Sequence, residues 1–392
     1  LTTNETFIRV SGSGANQSGL RDQNARVVLS FIRRHGELPS AEIARRSGLS
    51  AQTVSNIVRA LEAEGLVRRG MSIKGKVGKP SVPMALEPGG VTSLGLNIGR
   101  RAAEMVLVDF TGSVLAERMT PYSYPTPDAV RAFVLDAIGA IFADRPGDLT
   151  HLAGLGIAMP YELWNWLDYV DAPEELMNEW RTIAIGAYLG EATGLETVVE
   201  NDATSACVAE HLLGRGHEYA DFAYFFLGAF LGGGLVLNGK VYSGRNGNAG
   251  AFGSLLVPDG TGDVAQLLDV ASNHVLERSL AEAGIDASVL RTRPDDWSAL
   301  EPHLSEWIAA TGRYLALAAT SIAAVVDVEA VLVEGAVPAP VRAALVSRAR
   351  STLETLDRTG IATPDIREAS VGRAARSIGA ALLPIHARYF LA

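Results

Sequence analysis

Cysteine is almost missing from this chain, with Cys207 standing alone among 392 residues. One thiol excludes a disulfide framework and any cysteine-rich zinc site, and it fits a reducing compartment. Seven histidines are scattered without paired metal-ligand spacing, so no metal site is expected. Long apolar runs are also scarce. The longest, "FAYFFLGAFLGGGLVL" at 222–237, is 16 residues and holds four glycines, short of the ~20 residues that a spanning helix requires. It reads as a bent strand pair, and "YLALAATSIAAVV" at 314–326 reads as a buried helix. No secretory leader is visible, so the expected location is cytoplasmic and no membrane partner is expected.

What the chain does have is charge of opposite sign in two places. Residues 1–90 carry 13 Lys and Arg against 7 Asp and Glu, whereas the remainder carries 21 against 37. A basic head on an acidic body points to a head that meets a polyanion. At 392 residues, two or three domains are the better prior. Residues 1–19 are polar and Gly/Ser-bearing, and read as a flexible tail.

Three helical patterns follow within 20–90. In "LRDQNARVVLSFIRRHG", Asn24, Val27, Val28, Phe31 and Ile32 fall on one face, and Gly36 stops the helix. "SAEIARRSG" has Ser40 as expected N-cap and Gly48 as stop. "SAQTVSNIVRALEAEG" has Ser50 as N-cap, and its Val54, Ile57, Val58 and Leu61 share an inward face. Gln52, Asn56 and Arg59 then point the opposite way, with Thr53 and Ser55 beside them. Amides pair bidentately with adenine and Arg with guanine, so a short helix, a turn and a polar-faced helix form a helix-turn-helix pattern. "LVRRG" and "VPMAL" read as a two-stranded wing whose tip carries Lys74, Lys76 and Lys79. The bland alternative is a plain three-helix bundle with a solvated basic loop. The expected DNA-contact set is Ser50, Gln52, Thr53, Ser55, Asn56, Arg59, Lys74, Lys76 and Lys79.

Beyond residue 90, "SLGLNIG", "AEMVLVDF" and "SVLAERMTPY" read as three successive strands, the last two joined at Thr111-Gly112. Thr126 and Pro127 open a helix, and "LAGLGIAMP" is a buried strand. Residues 222–243 repeat the theme: strand, Gly-rich turn, strand, and a turn at Asn238-Gly239. Two similar halves suggest a duplicated α/β unit with ligands between the halves near strand ends.

The winged helix together with "LGLNIG", "GLGIAMP", "VENDATSACVAE", "GGGLVLNGKVYSGRNGNAG" and "VDVEAVLVEGAV" resembles the ROK family of repressors, open reading frames and kinases. The resemblance runs from about residue 20 onward. It implies an α/β fold class: an N-terminal winged helix-turn-helix, then a two-lobed body at 91–392. That body has the duplicated ribonuclease-H-like fold of the actin and hexokinase group, and would bind an effector and dimerise. The partners implied are a double-stranded DNA operator, a small carbohydrate-like effector, and a second copy in a homodimer or higher oligomer.

Several positions depart from the family's kinases. Their Asp-x-Gly-x-Thr phosphate loop is here Asn97-Ile98-Gly99-Arg100-Arg101. Their second phosphate loop, Gly-Thr-Gly-x-Gly-Gly-Gly, is here Gly228-Ala229-Phe230-Leu231-Gly232-Gly233-Gly234. A Gly-Gly pair of the adenosine motif becomes Glu334-Gly335. On the sugar side Asn201 and Asp202 remain, but Ala251 replaces a Glu, Ser254 replaces a His, and Leu268 falls at a further Glu. The zinc-binding cysteine run is absent from 258–268. The expectation from these departures is a non-enzymatic regulator with no zinc and no nucleotide or other cofactor. Two alternatives stay open: a regulator that keeps sugar-kinase activity, and an effector-independent DNA-binding protein whose body only dimerises.

In the family, the position of Asp202 is that of the catalytic base; the alternative is that it only caps the helix that follows, and capping and ligand contact are not exclusive. The expected effector set is Asn201, Asp202, Asn246, Asn248, Ser254, Trp164 and Trp166. The aromatic segment 161–180, with Tyr161, Tyr169 and Trp180, reads as a lid, as core or as a dimer interface.

Overall fold

A computed structural model describes residues 17–71, 82–165 and 172–391. The chain divides into two compact units: Leu1–Val91 with Ile385–Ala392, and Thr92–Pro384.

The head is built on α1 (Gln17–His35), α2 (Ser40–Ser47) and α3 (Ala51–Ala63). Val28, Leu29 and Ile32 of α1 are buried with Ile43 of α2 and with Val54, Ile57, Val58 and Leu61 of α3. The inward face expected for α3 is therefore the one that packs, while α1 also buries Leu29. Gly36, Gly48 and Gly65 all have φ near +70°, the left-handed conformation that lets a helix end and the chain turn sharply. The cap expected at Ser40 is corrected: Ser40 is the first helical residue, and Pro39 in the cap position supplies no side-chain bond. Pro39 is committed to a short strand instead. Here β1 (Leu38–Pro39), β2 (Val67–Arg69) and β3 (Pro83–Leu86) form a sheet in the order β1-β3-β2. The antiparallel pair β2 and β3 is the wing. Its tip, residues 72–81 with Lys74, Lys76 and Lys79, lies outside the described residues.

Residues 385–392, assigned from sequence to the body, belong to the head. Phe390 is buried and lies 4.4 Å (ring centre) from the Arg33 guanidinium of α1. The Leu391 amide donates to the Ser30 hydroxyl at 3.0 Å. Burial pulls the Arg33 guanidinium down to about 10. Sequence periodicity cannot reveal such a clasp, because it joins residues 361 positions apart.

The body holds two five-stranded sheets of identical topology. The first contains β4 (Thr92–Ile98), β5 (Ala102–Asp109), β6 (Val114–Pro121), β7 (Leu152–Met159) and β8 (Thr197–Asn201), in the order β6-β5-β4-β7-β8. The second contains β9 (Phe222–Leu227), β10 (Leu231–Leu237), β11 (Lys240–Val241), β14 (Ala330–Gly335) and β15 (Asp365–Glu368), in the order β11-β10-β9-β14-β15. Within the second half, between β11 and β14 in the chain, a small hairpin pairs β12 (Leu256–Pro258) with β13 (Val264–Gln266). In each half three antiparallel strands are followed by two parallel ones, so the duplication inferred from the sequence is a duplication of fold. The Asn238-Gly239 turn has φ of 54° and 69°, as a two-residue hairpin with a right-handed twist requires.

Each sheet has its own core. Leu94, Leu96, Met105, Leu107, Val134 and Ile157 anchor the first, and Phe225, Leu231, Trp307, Leu315, Val333 and Leu345 the second. The helix His303–Val326 is long and apolar enough to cross a membrane by length and composition alone. Its Leu304, Trp307, Leu315, Ala319 and Ile322 are buried in the second core, as expected for 314–326. The helix Ala375–Tyr389 runs close against strands and helices of the body. A side chain at Gly156 would collide with the Ala380 backbone, and one at Gly379 with the carbonyl of Ser205. Glycine there is a requirement of distance.

Candidate functional site

On the head, the Ser50 hydroxyl accepts from the Thr53 amide at 3.1 Å and so caps α3, a contact of about 1 kcal/mol. That cap fixes where the first turn points. Gln52, Asn56 and Arg59 are all exposed, opposite the buried stripe. They are joined by their own bonds: Gln52 Nε2 donates to Asn56 Oδ1 at 3.1 Å, and Arg59 Nη2 to Ser55 Oγ at 3.1 Å and to Asn56 Oδ1 at 3.3 Å. Thr53 and Ser55 are half-buried beside them. The result is a row of donors and acceptors at helical spacing with no apolar residue exposed among them, suited to base edges in a major groove. The charges around this row are tied off. Arg45 and Arg46 both bond Glu42, and Arg69 bonds Glu62.

In the body, β8 ends at Asn201 and the helix Asp202–Leu213 starts at once. The capping role open for Asp202 falls to Asn201, whose Oδ1 accepts from the Ala203 and Thr204 amides at 3.0 and 3.1 Å. Asp202 Oδ1 also accepts from the Ala203 amide at 2.9 Å. Its Oδ2 faces Arg376, with Nη1 at 3.4 Å. Glu200 is half-buried, accepts from the Asn201 amide at 2.8 Å and from Ser243 Oγ at 3.3 Å, and desolvation holds its carboxyl above the ordinary range.

These residues border a cavity of about 130 Å³. Asn201, Asp202, Asn248 and Ser254 line it together, with Tyr161, Arg100, Phe226, Phe230 and Arg376. Asn246 is not part of that lining. Trp164 is half-buried against the first core, and Trp166 and Tyr169 fall outside the described residues. Trp180 is core: it is 3% exposed and its indole N–H donates to the Pro125 carbonyl at 3.0 Å. Arg376 was missed from sequence because it lies 174 residues from Asp202. Arg100 was noted as a departure but not as a pocket residue.

The loop between β9 and β10 is occupied by the protein itself. The Leu231 amide donates to Ser272 Oγ at 2.8 Å, and the Gly228 and Ala229 carbonyls accept from the Asn273 and His274 amides. The Phe230 ring lies beneath the Arg100 guanidinium, 4.8 Å from the ring centre. At the end of β14, the buried Glu334 carboxylate pairs with Arg342 and accepts from the Gly335 and Gly372 amides at 3.1 and 2.7 Å. Burial raises the Glu334 carboxyl even so.

A winged helix joined to a duplicated α/β body with a polar crevice defines a class: a DNA-binding head on a sugar-kinase fold. The chain belongs to the ROK family, whose model matches residues 93–387, and a MarR family model matches residues 18–76. It is similar to the xylose repressor of Bacillus spizizenii, 22% identical over 62% of each chain. It is also similar to the DNA-binding transcriptional dual regulator NagC of Escherichia coli K12, 25% identical over 66% of this chain and 64% of that one. The matched stretch thus spans less than two thirds of either relative. Among solved structures, a ROK family transcriptional regulator described as a homolog of the E. coli MLC protein superposes with a TM-score of 0.68. It is 21% identical and covers 94% of this chain and 97% of that chain, which is a likeness of fold.

Proposed function

We propose that this protein is a DNA-binding transcriptional repressor of carbohydrate-related genes that senses a sugar-like effector in a kinase-fold body. The observation that carries the reading is the exposed, mutually bonded row Gln52–Asn56–Arg59 on α3, with a winged sheet beside it. Relatives named as a xylose repressor and as a regulator of transcription support it. Ser50, Thr53, Ser55 and the wing lysines Lys74, Lys76 and Lys79 would hold phosphates, and α3 would read bases. Such heads normally work in pairs on two half-sites, so the working form is a homodimer or higher oligomer in the cytoplasm.

Phosphoryl transfer is not part of the reading. A base needs a metal-bound nucleotide beside it. In this chain the carboxylate of the first phosphate loop is Asn97, the Leu231 amide of the second is taken by Ser272, and the adenosine motif carries the Glu334–Arg342 pair. Asp202 faces a guanidinium, and its carboxylate oxygens are suited to accept hydrogen bonds from ligand hydroxyls. Asn201, Asp202, Asn248 and Ser254 would hold the effector. Asn246, Trp164 and Trp166 complete the set expected from sequence. Closure of the two lobes around a ligand would alter operator affinity by no more than the ligand's differential affinity for the two states.

The test is full-chain binding to its own promoter region by fluorescence anisotropy, with and without candidate sugars. Asp202→Ala should leave operator affinity unchanged and abolish the sugar response. If the full chain ignores that DNA, the reading fails.

A further inference from the structure

We propose that Asn56 reads no base of its own: it is a positioning residue that holds the Arg59 guanidinium for a guanine, so that base discrimination by α3 lies with Arg59 and Gln52. This deepens the DNA-reading assignment of α3 and rests on it.

The orientation of the Asn56 amide is settled by its neighbours. Arginine carries only donors, so the Asn56 atom 3.3 Å from Arg59 Nη2 is the carbonyl oxygen. The same oxygen accepts from Gln52 Nε2 at 3.1 Å. A side-chain carbonyl has two lone pairs, and both are engaged within the protein. Bidentate pairing with adenine requires a free carbonyl to accept from N6 and an N–H to donate to N7. Asn56 keeps its Nδ2 donors and lacks the acceptor half of that pair. Donors alone meet acceptors on adenine, guanine and thymine in the major groove, and so discriminate weakly among them.

The two neighbours keep what Asn56 gives up. Gln52 donates through Nε2 and has no bond at Oε1 among the described residues, so an acceptor and a second N–H remain for adenine. Arg59 is bonded only through Nη2, and donors remain at Nη1 and Nε for guanine O6 and N7. The acid that could have tied it is taken. Glu62 lies three positions beyond Arg59, within side-chain reach on a helix, but it pairs with Arg69 of β2 through both oxygens at 2.7 and 3.0 Å. Among the described residues Arg59 is in no ion pair, unlike Arg45, Arg46 and Arg69.

Position along the helix gives the tie its purpose. The N-terminal residues of a recognition helix contact base edges, and Arg59 lies about two turns beyond Gln52. Ser55 and Asn56 stand one turn upstream of Arg59. Their oxygens draw the guanidinium back over that turn, at 3.1 and 3.3 Å from Nη2, the direction in which helical side chains lean. A long side chain already held in place loses less rotamer freedom on docking. These bonds are exposed and contribute little to folding, but they strengthen once the groove excludes water.

The experiment is selection of duplexes from a randomised library by the full chain, then fluorescence anisotropy on the selected site with each base pair replaced in turn. Arg59→Ala should lose tenfold or more of the discrimination at one G·C pair. Asn56→Ala should lose discrimination at that same pair, and the double variant should be no worse there than Arg59→Ala alone. Asn56→Asp keeps the oxygen and loses the N–H donors. It should bind every sequence more weakly, because it adds a negative charge beside phosphates, yet keep the wild-type preference for the guanine. Three results overturn the proposal and leave DNA reading intact. One is loss at an A·T pair in Asn56→Ala, with additive effects in the double variant. Another is a loss spread evenly over all pairs, as expected of bonds that only support the helix. The third is an Asp variant that loses the guanine preference as the Ala variant does. No enriched sequence at all overturns the proposal and the DNA-reading assignment together.

Discussion

The head and the body handle acidic side chains in opposite ways. In the head, Glu42 is bonded to Arg45 and Arg46 and Glu62 to Arg69, all in partly exposed ion pairs. The Arg45 and Arg46 bonds hold the Glu42 carboxyl down to about 2, and Arg69 lowers that of Glu62. In the body, Glu104, Glu200 and Glu334 are shielded from water, and burial raises all three. Glu210 is fully buried and accepts from the Arg215, Ser370 and Val371 amides and from the Ser370 hydroxyl. Surface ion pairs contribute little to stability. Buried acceptors that satisfy several backbone amides are costly to remove. The head thus spends its charges on arranging a surface, and the body on joining distant segments.

The sharpest way to break this comparison is Glu210→Ala. It strips the Ser370 and Val371 amides of their acceptor, leaves the Arg215 amide with Ser370 Oγ alone, and should destabilise the body by roughly 2–5 kcal/mol, read from urea denaturation. Glu42→Ala in the head should leave the denaturation midpoint where it was. Equal effects from the two would erase the distinction. Next comes the clasp on the head. Phe390→Ala removes a buried ring and should cost about 3 kcal/mol of local stability in α1, seen as faster amide exchange there. Unchanged protection would make residues 385–392 a passive tail.

Smaller effects follow on the reading face. Gln52→Ala or Asn56→Ala should weaken operator binding by ~1–3 kcal/mol and relax specificity, with no change in denaturation midpoint. Lys76→Ala should weaken specific and non-specific DNA alike and flatten the salt dependence. The smallest expected effect is on pH. Glu104, Glu200 and Glu334 of the body have folded pKa values above their unfolded value of 4.5, raised by desolvation. The native body therefore holds more protons than the unfolded chain once pH rises past 4.5, and its stability declines through that window. The head runs the other way: its lowered carboxylates stabilise it above 4.5 and lose that contribution as pH falls toward about 2. Segment-resolved amide exchange at pH 5 and 7 should show the body more protected at pH 5. More protection at pH 7 would contradict the burial of those groups.

Much of this molecule is legible in its residues. The buried stripe of α3, the Ser50 cap, the Thr126–Pro127 start and the Asn238-Gly239 hairpin depend on neighbours within a few positions, and sequence periodicity carries that information. So does the repeat of strands that yields two sheets of one topology. The polar face Gln52–Asn56–Arg59 follows from the same 3.6-residue period. Only the tertiary structure decided that Asn201 takes the cap and Asp202 faces a cation, that Arg376 and Arg100 share a cavity with Asp202, that Trp164 leans on the core, and that residues 385–392 fold with the head. The physical reason is distance along the chain. Helix, turn and cap energies are local, whereas the charge balance of a cavity is set by side chains 174 residues apart, brought together by the packing of whole elements.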